Sequence, residues 1–333
     1  MRLRVGVIGL GESWERRHKP ALVRLGDKFE VRAVYDEVAQ RARTQALELD
    51  CEVVDGFTRL VERDDIDAVY ILSQAWYGVE PVRAACQARK AIYCVQPFSD
   101  ELSYADEIIE TIRSSGTRFM VEFPWRFSPA TLRLMELLAS GLGAPQLVFC
   151  EDRVLVSEKN ETLPTGRDRT CNDVALHMAD WLRFVFSRDP TSIQSIGGHS
   201  IRHGPCRGFD TLVAEFGEGC VGKATIFRYV QPQWTEAARF RPGPSFHVVA
   251  ERGIAFLEMP DQVTWFDASG RHDESLETDR PLGEMLADRF YRIVVHGLNP
   301  SPGLVDAQWA RRMISEARRH QAEGRKVSFV DSP

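Results

Sequence analysis

The sequence predicts an α/β fold class, with an N-terminal doubly wound parallel sheet and a C-terminal α+β domain built on a large, mostly antiparallel open sheet. Three observations lead to this prediction. The chain has 333 residues, which is long for a single hydrophobic core. Short β-branched runs alternate with helical segments up to about residue 122, and longer strands cluster after Pro129. We therefore predict a first domain over residues 1–122 and a second over 123–333.

Strands and helices alternate throughout the first domain. Parallel strands need crossover connections, which are usually helices, so this alternation favours a doubly wound sheet. Strands are predicted at 3–8, 29–35, 51–54, 68–72, 91–94 and 118–121, and helices near 14–25, 37–49, 57–63, 78–88 and 101–114.

The second domain has a different order of elements, in which several predicted strands follow one another without helices between them. The turn Gly217-Glu218-Gly219 predicts a hairpin, and consecutive hairpins favour an antiparallel sheet. Helices are predicted near 129–140, 173–186, 283–296 and 304–322, and strands near 146–156, 193–202, 209–217, 219–230, 245–250, 254–259 and 262–267.

The composition restricts the classes of partner. A net charge of −6 at pH 7 and a pI near 5.8 argue against nucleic acid, because phosphate binding needs a basic face. No apolar stretch approaches the length of a membrane span. The seven cysteines are scattered and never spaced C-x-x-C, which is typical of reduced thiols rather than of disulfides or a zinc site. We expect a cytoplasmic protein without a metal.

A glycine turn follows the first predicted strand, in the stretch VGVIGLGESW. Gly9 and Gly11 match the first two glycines of G-x-G-x-x-G, a motif in which helix N-terminal amides bind a pyrophosphate. Asp36 ends the second strand, where a carboxylate accepts ribose hydroxyls and disfavours a 2′-phosphate. This context predicts a dinucleotide-binding Rossmann domain that prefers NAD to NADP. The alternative is an ordinary tight turn with a solvated aspartate.

Trp14 stands where the motif has its third glycine. Helical periodicity places it on one face with Ala21 and Leu25, so we expect it to pack against the sheet. The third glycine serves close helix–strand packing rather than phosphate contact. Its loss therefore predicts a displaced helix whose first amides remain in place.

A polar stripe interrupts the apolar stretch NDVALHMADWLRFVF. Asp173, His177 and Asp180 fall within one narrow arc of a helix. One interpretation is a histidine acid/base oriented by a carboxylate. The other is a buried polar network whose hydrogen bonds are satisfied. A metal site is less favoured, because no further His or Cys stands at supporting spacing.

Four segments together resemble the Gfo/Idh/MocA family of oxidoreductases over the whole chain. They are VGVIGLG followed by RRHKPAL, WRFSPA, DVALHMAD with Ala175 in place of a glycine, and the closing DAQWARRMISEARRHQAEGRKVSF. The resemblance implies a nucleotide domain and a β-sheet substrate domain. It also implies NAD(P)-dependent hydride transfer on sugars or polyols, and homodimers or homotetramers formed through the open C-terminal sheet.

The resemblance also implies roles for individual residues. His177 would be the acid/base, and Asp173 would bind substrate or orient the histidine. The family's Glu-Lys-Pro reads Val95-Gln96-Pro97, so a glutamine replaces a lysine that contacts the reacting hydroxyl. Catalytic candidates are then His177, Asp173 and Gln96; cofactor-binding candidates are Gly9, Gly11, Glu12, Ser13, Asp36, Ser73, Gln74, Gln96 and Pro97; substrate-binding candidates are Tyr77, Arg126, Asp173 and His177.

Three functions remain open from the sequence. The first is an NAD-dependent oxidoreductase of sugar-like or polyol substrates. The second is a non-catalytic relative that binds a nucleotide or sugar, because Gln96 supplies no cation for a developing alkoxide. The third is a lyase, epimerase or hydrolase of the same fold that uses His177 and Asp173.

Overall fold

Two sheets form the framework of the protein, as the sequence predicts. The computed structural model describes residues 2–72, 77–95, 102–155, 171–199, 208–230, 245–277, 280–323 and 327–329. Within these ranges one sheet is parallel and the other is mostly antiparallel. The predicted fold class is therefore confirmed.

The parallel sheet has strand order β3-β2-β1-β4-β5-β6. The chain winds outward from β1 in one direction and then returns past it in the other, which is the doubly wound arrangement. In such sheets ligands bind at the carboxyl ends of the strands, where the order reverses. Here that point lies between β1 and β4. The strands are β1 (Leu3–Ile8), β2 (Phe29–Tyr35), β3 (Glu52–Val53), β4 (Ala68–Ile71), β5 (Ala91–Cys94) and β6 (Phe119–Val121).

The helices lie close to their predicted positions. The first differs in kind, because a π-helical turn, Trp14–His18, precedes its α-helical part. Ser128 caps another helix by accepting a hydrogen bond from the Thr131 amide. The described helices are α1 (Lys19–Arg24), α2 (Ala39–Leu49), α3 (Phe57–Val61), α4 (Glu80–Gln87), α5 (Leu102–Ser115), α6 (Pro129–Leu137), α7 (Cys171–Phe186), α8 (Leu282–Val295) and α9 (Leu304–Glu323).

The chain forms two compact units, and each contains two segments. One unit comprises Met1–Phe123 and Asp279–Gln308, and the other comprises Pro124–Thr278 and Trp309–Pro333. The predicted boundary at 122/123 lies within one residue of the first division. The segment 279–308, which the prediction places in the second domain, instead groups with the first unit. The physical reason is that Phe290 of α8 packs edge-on against Tyr70 and Tyr93 of the parallel sheet.

The second unit is organised around a mixed sheet. Among the described residues it has nine strands in the order β14-β13-β12-β11-β7-β10-β9-β8-β15. Neighbours are antiparallel except β7 and β10, which run in the same direction. The strands are β7 (Pro145–Leu155), β8 (Ser192–His199), β9 (Gly208–Glu215), β10 (Val221–Val230), β11 (Phe246–Ala250), β12 (Gly253–Glu258), β13 (Gln262–Asp267), β14 (Gly270–Ser275) and β15 (Val327–Ser328).

One face of this sheet is covered and the other is more exposed. In β7, Val148 and Cys150 are fully buried beneath helices, whereas Leu147 and Glu151 on the opposite face are exposed. Aromatic side chains form a row across the exposed face. Phe149 stacks on His247 at 4.4 Å between ring centroids, His247 lies 5.8 Å from Phe256, and Phe256 lies 6.1 Å from Phe266.

Candidate functional site

The glycine turn connects β1 to the first helix at the carboxyl edge of the parallel sheet. Gly9 has φ +89°, a left-handed conformation that favours glycine. Its amide donates to the Tyr35 carbonyl at 2.9 Å, which ties the turn to β2. Gly11 has no such backbone requirement, and a Cβ built on it would meet no atom within 4 Å. The turn therefore leaves open space at the second glycine, where a ligand could approach the backbone.

Asp36 is held against this turn by backbone amides. The Leu10 amide donates to its Oδ2 at 2.7 Å, and the Val38 amide donates to its Oδ1 at 2.9 Å. Arg41 lies 3.3 Å from the same carboxylate. Arg41 Nη1 donates to both oxygens, at 3.3 and 3.4 Å, so a ligand hydroxyl would compete with this arginine for the carboxylate. The sequence prediction did not include the bond to Leu10, which couples Asp36 to the glycine turn.

Glu12 and Ser13 begin the helix after the turn. The Oγ atom of Ser13 is buried and has no hydrogen-bond partner within the described part of the chain. Glu12 pairs with Arg16 one turn later at 2.7 Å, which partly neutralises its charge. A helix N-terminus offers free amides to an anion. Open space at Gly11, the buried hydroxyl of Ser13 and these amides fit the pyrophosphate of a dinucleotide.

Trp14 is completely buried. Its indole Nε1 donates to the side-chain oxygen of Gln45 on α2 at 2.9 Å, and Gln45 is itself buried. The helix widens into the π turn at this residue, which accommodates a side chain much larger than glycine. The tryptophan at the position of the third glycine thus changes the geometry of the helix. The turn before it keeps the left-handed Gly9 and its hydrogen bond to Tyr35.

Tyr77 lies beside Asp36 rather than beside the end of β5. Its hydroxyl accepts a hydrogen bond from the Glu37 amide at 2.9 Å, and its ring packs against Tyr35 and Phe57. Burial raises the pKa of the Tyr77 phenol well above its usual range. Three inter-strand steps of about 4.8 Å separate β2 from β5 in this sheet. Tyr77 was predicted to bind substrate; the structure places its hydroxyl against the Glu37 amide, next to Asp36.

A buried ionic cluster lies after β6, at the carboxyl edge of the parallel sheet. Glu122, directly after β6, is 1% exposed, and His18 Nε2 lies 2.9 Å from its Oε2. Arg17 pairs with the other oxygen, and the Tyr93 hydroxyl donates to Oε2 at 2.7 Å. Burial raises the pKa of the Glu122 carboxyl, but His18 and Arg17 outweigh it and hold this pKa well below its usual range. The sequence reasoning missed this cluster; a glutamate directly after the apolar β6 is the signal that could have revealed it.

In the second unit, α7 carries the predicted polar stripe. Asp180 is 2% exposed and forms a two-point ion pair with Arg126, whose Nε donates to Oδ2 at 2.8 Å. The Arg126 guanidinium also lies 4.9 Å from the centre of the Phe184 ring. Arg126 and Asp180 therefore form a buried network with satisfied hydrogen bonds, which is the second of the two interpretations of the polar stripe. Arg126 was predicted to bind substrate, and its guanidinium is instead directed at Asp180.

His177 lies one turn before Asp180 on α7. Its ring centroid is 5.7 Å from that of Trp125, and it is half-buried. Trp181, further along the helix, donates from its indole to Thr131 at 3.0 Å and packs on Phe246. Both contacts fix the helix that presents His177.

Several predicted site residues lie outside the described part of the chain: Ser73, Gln74, Gln96, Pro97 and the side chain of Asp173. Among the described residues no group of three His, Cys, Asp or Glu side chains is arranged to hold a metal. No described helix is both long and apolar enough to cross a bilayer.

Known proteins resemble the chain both in sequence and in fold. Residues 3–123 match the model of an oxidoreductase family with an NAD-binding Rossmann fold. An inositol 2-dehydrogenase from Acidothermus cellulolyticus is 31% identical over 204 residues, which cover 59% of this chain and 57% of that relative. The alignment thus spans little more than half of the relative's length.

Two solved structures share the fold over nearly the whole chain. An oxidoreductase from Thermotoga maritima superposes with a TM-score of 0.81 at 21% identity, covering 98% of each chain. A levoglucosan dehydrogenase solved with NADH and levoglucosan gives 0.82 at 16% identity, covering 98% of this chain and 99% of that one. The glycine turn and the buried Asp36 described above lie within residues 3–123, the part of the chain that matches the Gfo/Idh/MocA family model, and the two solved structures share the fold of nearly the whole chain.

Proposed function

We propose that the chain is an NAD-dependent oxidoreductase that moves a hydride between a nicotinamide cofactor and a hydroxyl or ketone of a sugar-like or polyol substrate. The observation that carries this proposal is the glycine turn, where the Leu10 amide donates to Asp36 while Gly11 leaves open space. A sensor of sugars alone would not need this nucleotide geometry. The relatives named inositol 2-dehydrogenase and levoglucosan dehydrogenase support the substrate class.

NAD is the preferred cofactor in this proposal. The Asp36 carboxylate is held by two amides, so a 2′-phosphate would be forced against a fixed negative charge. Arg41 offsets part of that charge at 3.3 Å and is the residue through which NADP would gain affinity. The preference therefore depends on the balance between these two side chains.

His177 is the proposed acid/base. When bound, the nicotinamide ring supplies the hydride acceptor or donor. His177 takes the proton of the reacting hydroxyl during oxidation and returns it during reduction. Asp173, four residues earlier on α7, orients the imidazole or binds substrate. Gln96 donates a hydrogen bond to the reacting oxygen through its amide but supplies no charge.

Cofactor binding and turnover test this proposal together. NADH fluorescence titration of the purified protein should show saturable binding, and a panel containing myo-inositol, levoglucosan and other polyols should give reduced cofactor from NAD. No NADH binding at millimolar concentration would exclude the oxidoreductase. Binding without turnover on any substrate would favour the non-catalytic relative.

Gln96→Lys separates the alternatives further. An active wild type that becomes faster with the lysine agrees with the proposal, because the cation adds alkoxide stabilisation to an existing reaction. Activity that appears only in the variant would show that the natural chain is a binding protein. A reaction in which NAD is never consumed would point to lyase, epimerase or hydrolase chemistry instead.

The exposed face of the mixed sheet is the proposed surface for homodimers or homotetramers. Its aromatic row, Phe149, His247, Phe256 and Phe266, is more apolar than an isolated surface needs. We propose a cytoplasmic location, because the cysteines are scattered along the sequence and the described Cys86 and Cys150 are buried free thiols.

A further inference from the structure

A cavity of about 250 Å³ lies within the second unit, on the side of α7 away from His177. Its walls come from α7, from the covered face of β9 and β10, and from α9. Ala175, Met178 and Ala179 of α7 face it. His177 and Asp180 are rotated to the other side of the same helix by the 100° step per residue. The cavity is therefore separate from the acid/base candidate.

Most of the cavity wall is apolar. Met178, Ala224 and Ile226 contribute methyl and methylene surface from the helix and the sheet, and Ala317 contributes from α9. Protein interiors are normally packed to the density of organic crystals. A polyol needs many hydrogen bonds along its length, and these walls do not offer them. The wall chemistry thus suits a ligand with an apolar body.

Polar groups converge at one end of the cavity. The Gln321 amide donates to Ser195 Oγ at 3.0 Å and to Asp210 Oδ1 at 3.3 Å. A Cβ on Gly197 would lie 2.5 Å from the Gln321 nitrogen, so the glycine makes this approach sterically possible. Arg318 lines the same region. Asp210 and Arg318 bring opposite charges, so this end combines donors and acceptors without a strong net charge.

We propose that this cavity is a binding site for a small neutral molecule that has an apolar ring or short chain and one hydroxyl or amide group. The apolar body would lie against Ala179, Ala224 and Ala317, and the polar group would exchange hydrogen bonds with Gln321 and Ser195. An apolar cavity of about 150 Å³ holds benzene, so the volume here suits about ten non-hydrogen atoms. The site does not depend on the proposed oxidoreductase activity.

Binding of 2-phenylethanol to the full chain tests the proposal. Its concentration dependence is followed by NMR of labelled methionine and isoleucine methyl groups. We expect saturable shifts of Met178 and Ile314, with a Kd on the order of 1 mM. Ala317→Leu fills the cavity and should weaken binding by about tenfold. Ala322→Leu, at an exposed position of the same helix, should leave it unchanged.

Ala224→Val provides a second filling variant from the sheet side, in case leucine at 317 prevents folding. Phenylacetate and myo-inositol serve as comparison probes. Tighter binding of phenylacetate would overturn the neutral ligand class, and tighter binding of myo-inositol at these methyl groups would overturn the apolar one. Absence of saturable shifts in the wild type, or equal binding in a folded filling variant, would overturn the site itself.

Discussion

The Nε2 atom of His18 lies 2.9 Å from Oε2 of Glu122, and both side chains are almost completely buried. The same carboxylate also pairs with Arg17 and accepts a hydrogen bond from Tyr93. Arg17 and His18 belong to the helical segment that follows the glycine turn, whereas Tyr93 lies on β5. Glu122 therefore ties the helix after the glycine turn to β5.

Replacing Glu122 with glutamine should destabilise the protein by about 3–5 kcal/mol, because His18 and Arg17 lose their buried counter-charge. The pKa of Glu122 is lowered in the folded state, so its contribution is present above the unfolded pKa and is lost as pH falls through the folded one. Urea unfolding between pH 7 and pH 3 should show a weaker acid dependence in Glu122→Gln than in the wild type. Glu110→Gln, in an exposed pair with Arg113, is the control and should change stability by less than about 1 kcal/mol.

Asp36→Asn should reduce discrimination between the two nicotinamide cofactors. Asparagine keeps a side-chain acceptor but removes the charge that opposes a 2′-phosphate. We expect the ratio of NADPH to NADH affinity to rise by about tenfold, measured by fluorescence titration. Arg41→Ala should move the ratio in the opposite direction. Equal ratios in all three proteins would remove Asp36 from the specificity assignment.

Gln45→Leu tests the hydrogen bond that accommodates Trp14. The indole N–H would remain buried without its acceptor, which costs about 1–3 kcal/mol. Gln40→Leu, on an exposed position of α2, should change stability by less than about 0.5 kcal/mol. Chemical denaturation measures both. If Gln45→Leu were as stable as the control, the hydrogen bond would have no role in holding the widened turn.

The Arg126–Asp180 pair should be strongly coupled. Each single variant, Arg126→Met or Asp180→Asn, leaves a buried group without its partner and should cost about 3–5 kcal/mol. The double variant should cost clearly less than the sum. An exposed pair, Arg188–Glu218, should show a coupling of only about 0–1 kcal/mol in the same double-mutant cycle. Additive losses at Arg126 and Asp180 would contradict the pairing.

Phe149→Arg should weaken self-association if the exposed sheet face joins copies of the chain. The charge would replace the ring that stacks on His247 at one end of the aromatic row. Sedimentation velocity should show a smaller species for this variant than for the wild type. Leu132→Arg, on α6 and also exposed, serves as the control and should keep the wild-type size. A monomeric wild type would contradict the proposed interface directly.

Local patterns predicted much of the fold. The glycine turn, the end of β2 at Asp36 and the hairpin at Gly217 are all encoded within a few residues, so they could be identified from spacing. The strand β14 (Gly270–Ser275) was missed because an edge strand needs no apolar alternation, and this one is largely polar. The π turn was missed because helical periodicity carries no signal for it.

Long-range pairing limited the prediction of the site. Arg126 and Asp180 are 54 residues apart, and neither position alone reveals that each neutralises the other. Tyr77 follows β4 in sequence, but its ring packs against Tyr35 at the end of β2. Its hydroxyl accepts a hydrogen bond from the Glu37 amide. In both cases the partner, rather than the residue type, decides the role.

The return of 279–308 to the first unit has a consequence for synthesis on the ribosome. Tyr70 and Tyr93 are translated early, but Phe290, which covers them, emerges only after β7 to β14 have been made. The nascent first unit must therefore keep an incomplete apolar surface while the strands of the mixed sheet appear. A chaperone that shields this surface would be needed most during that interval.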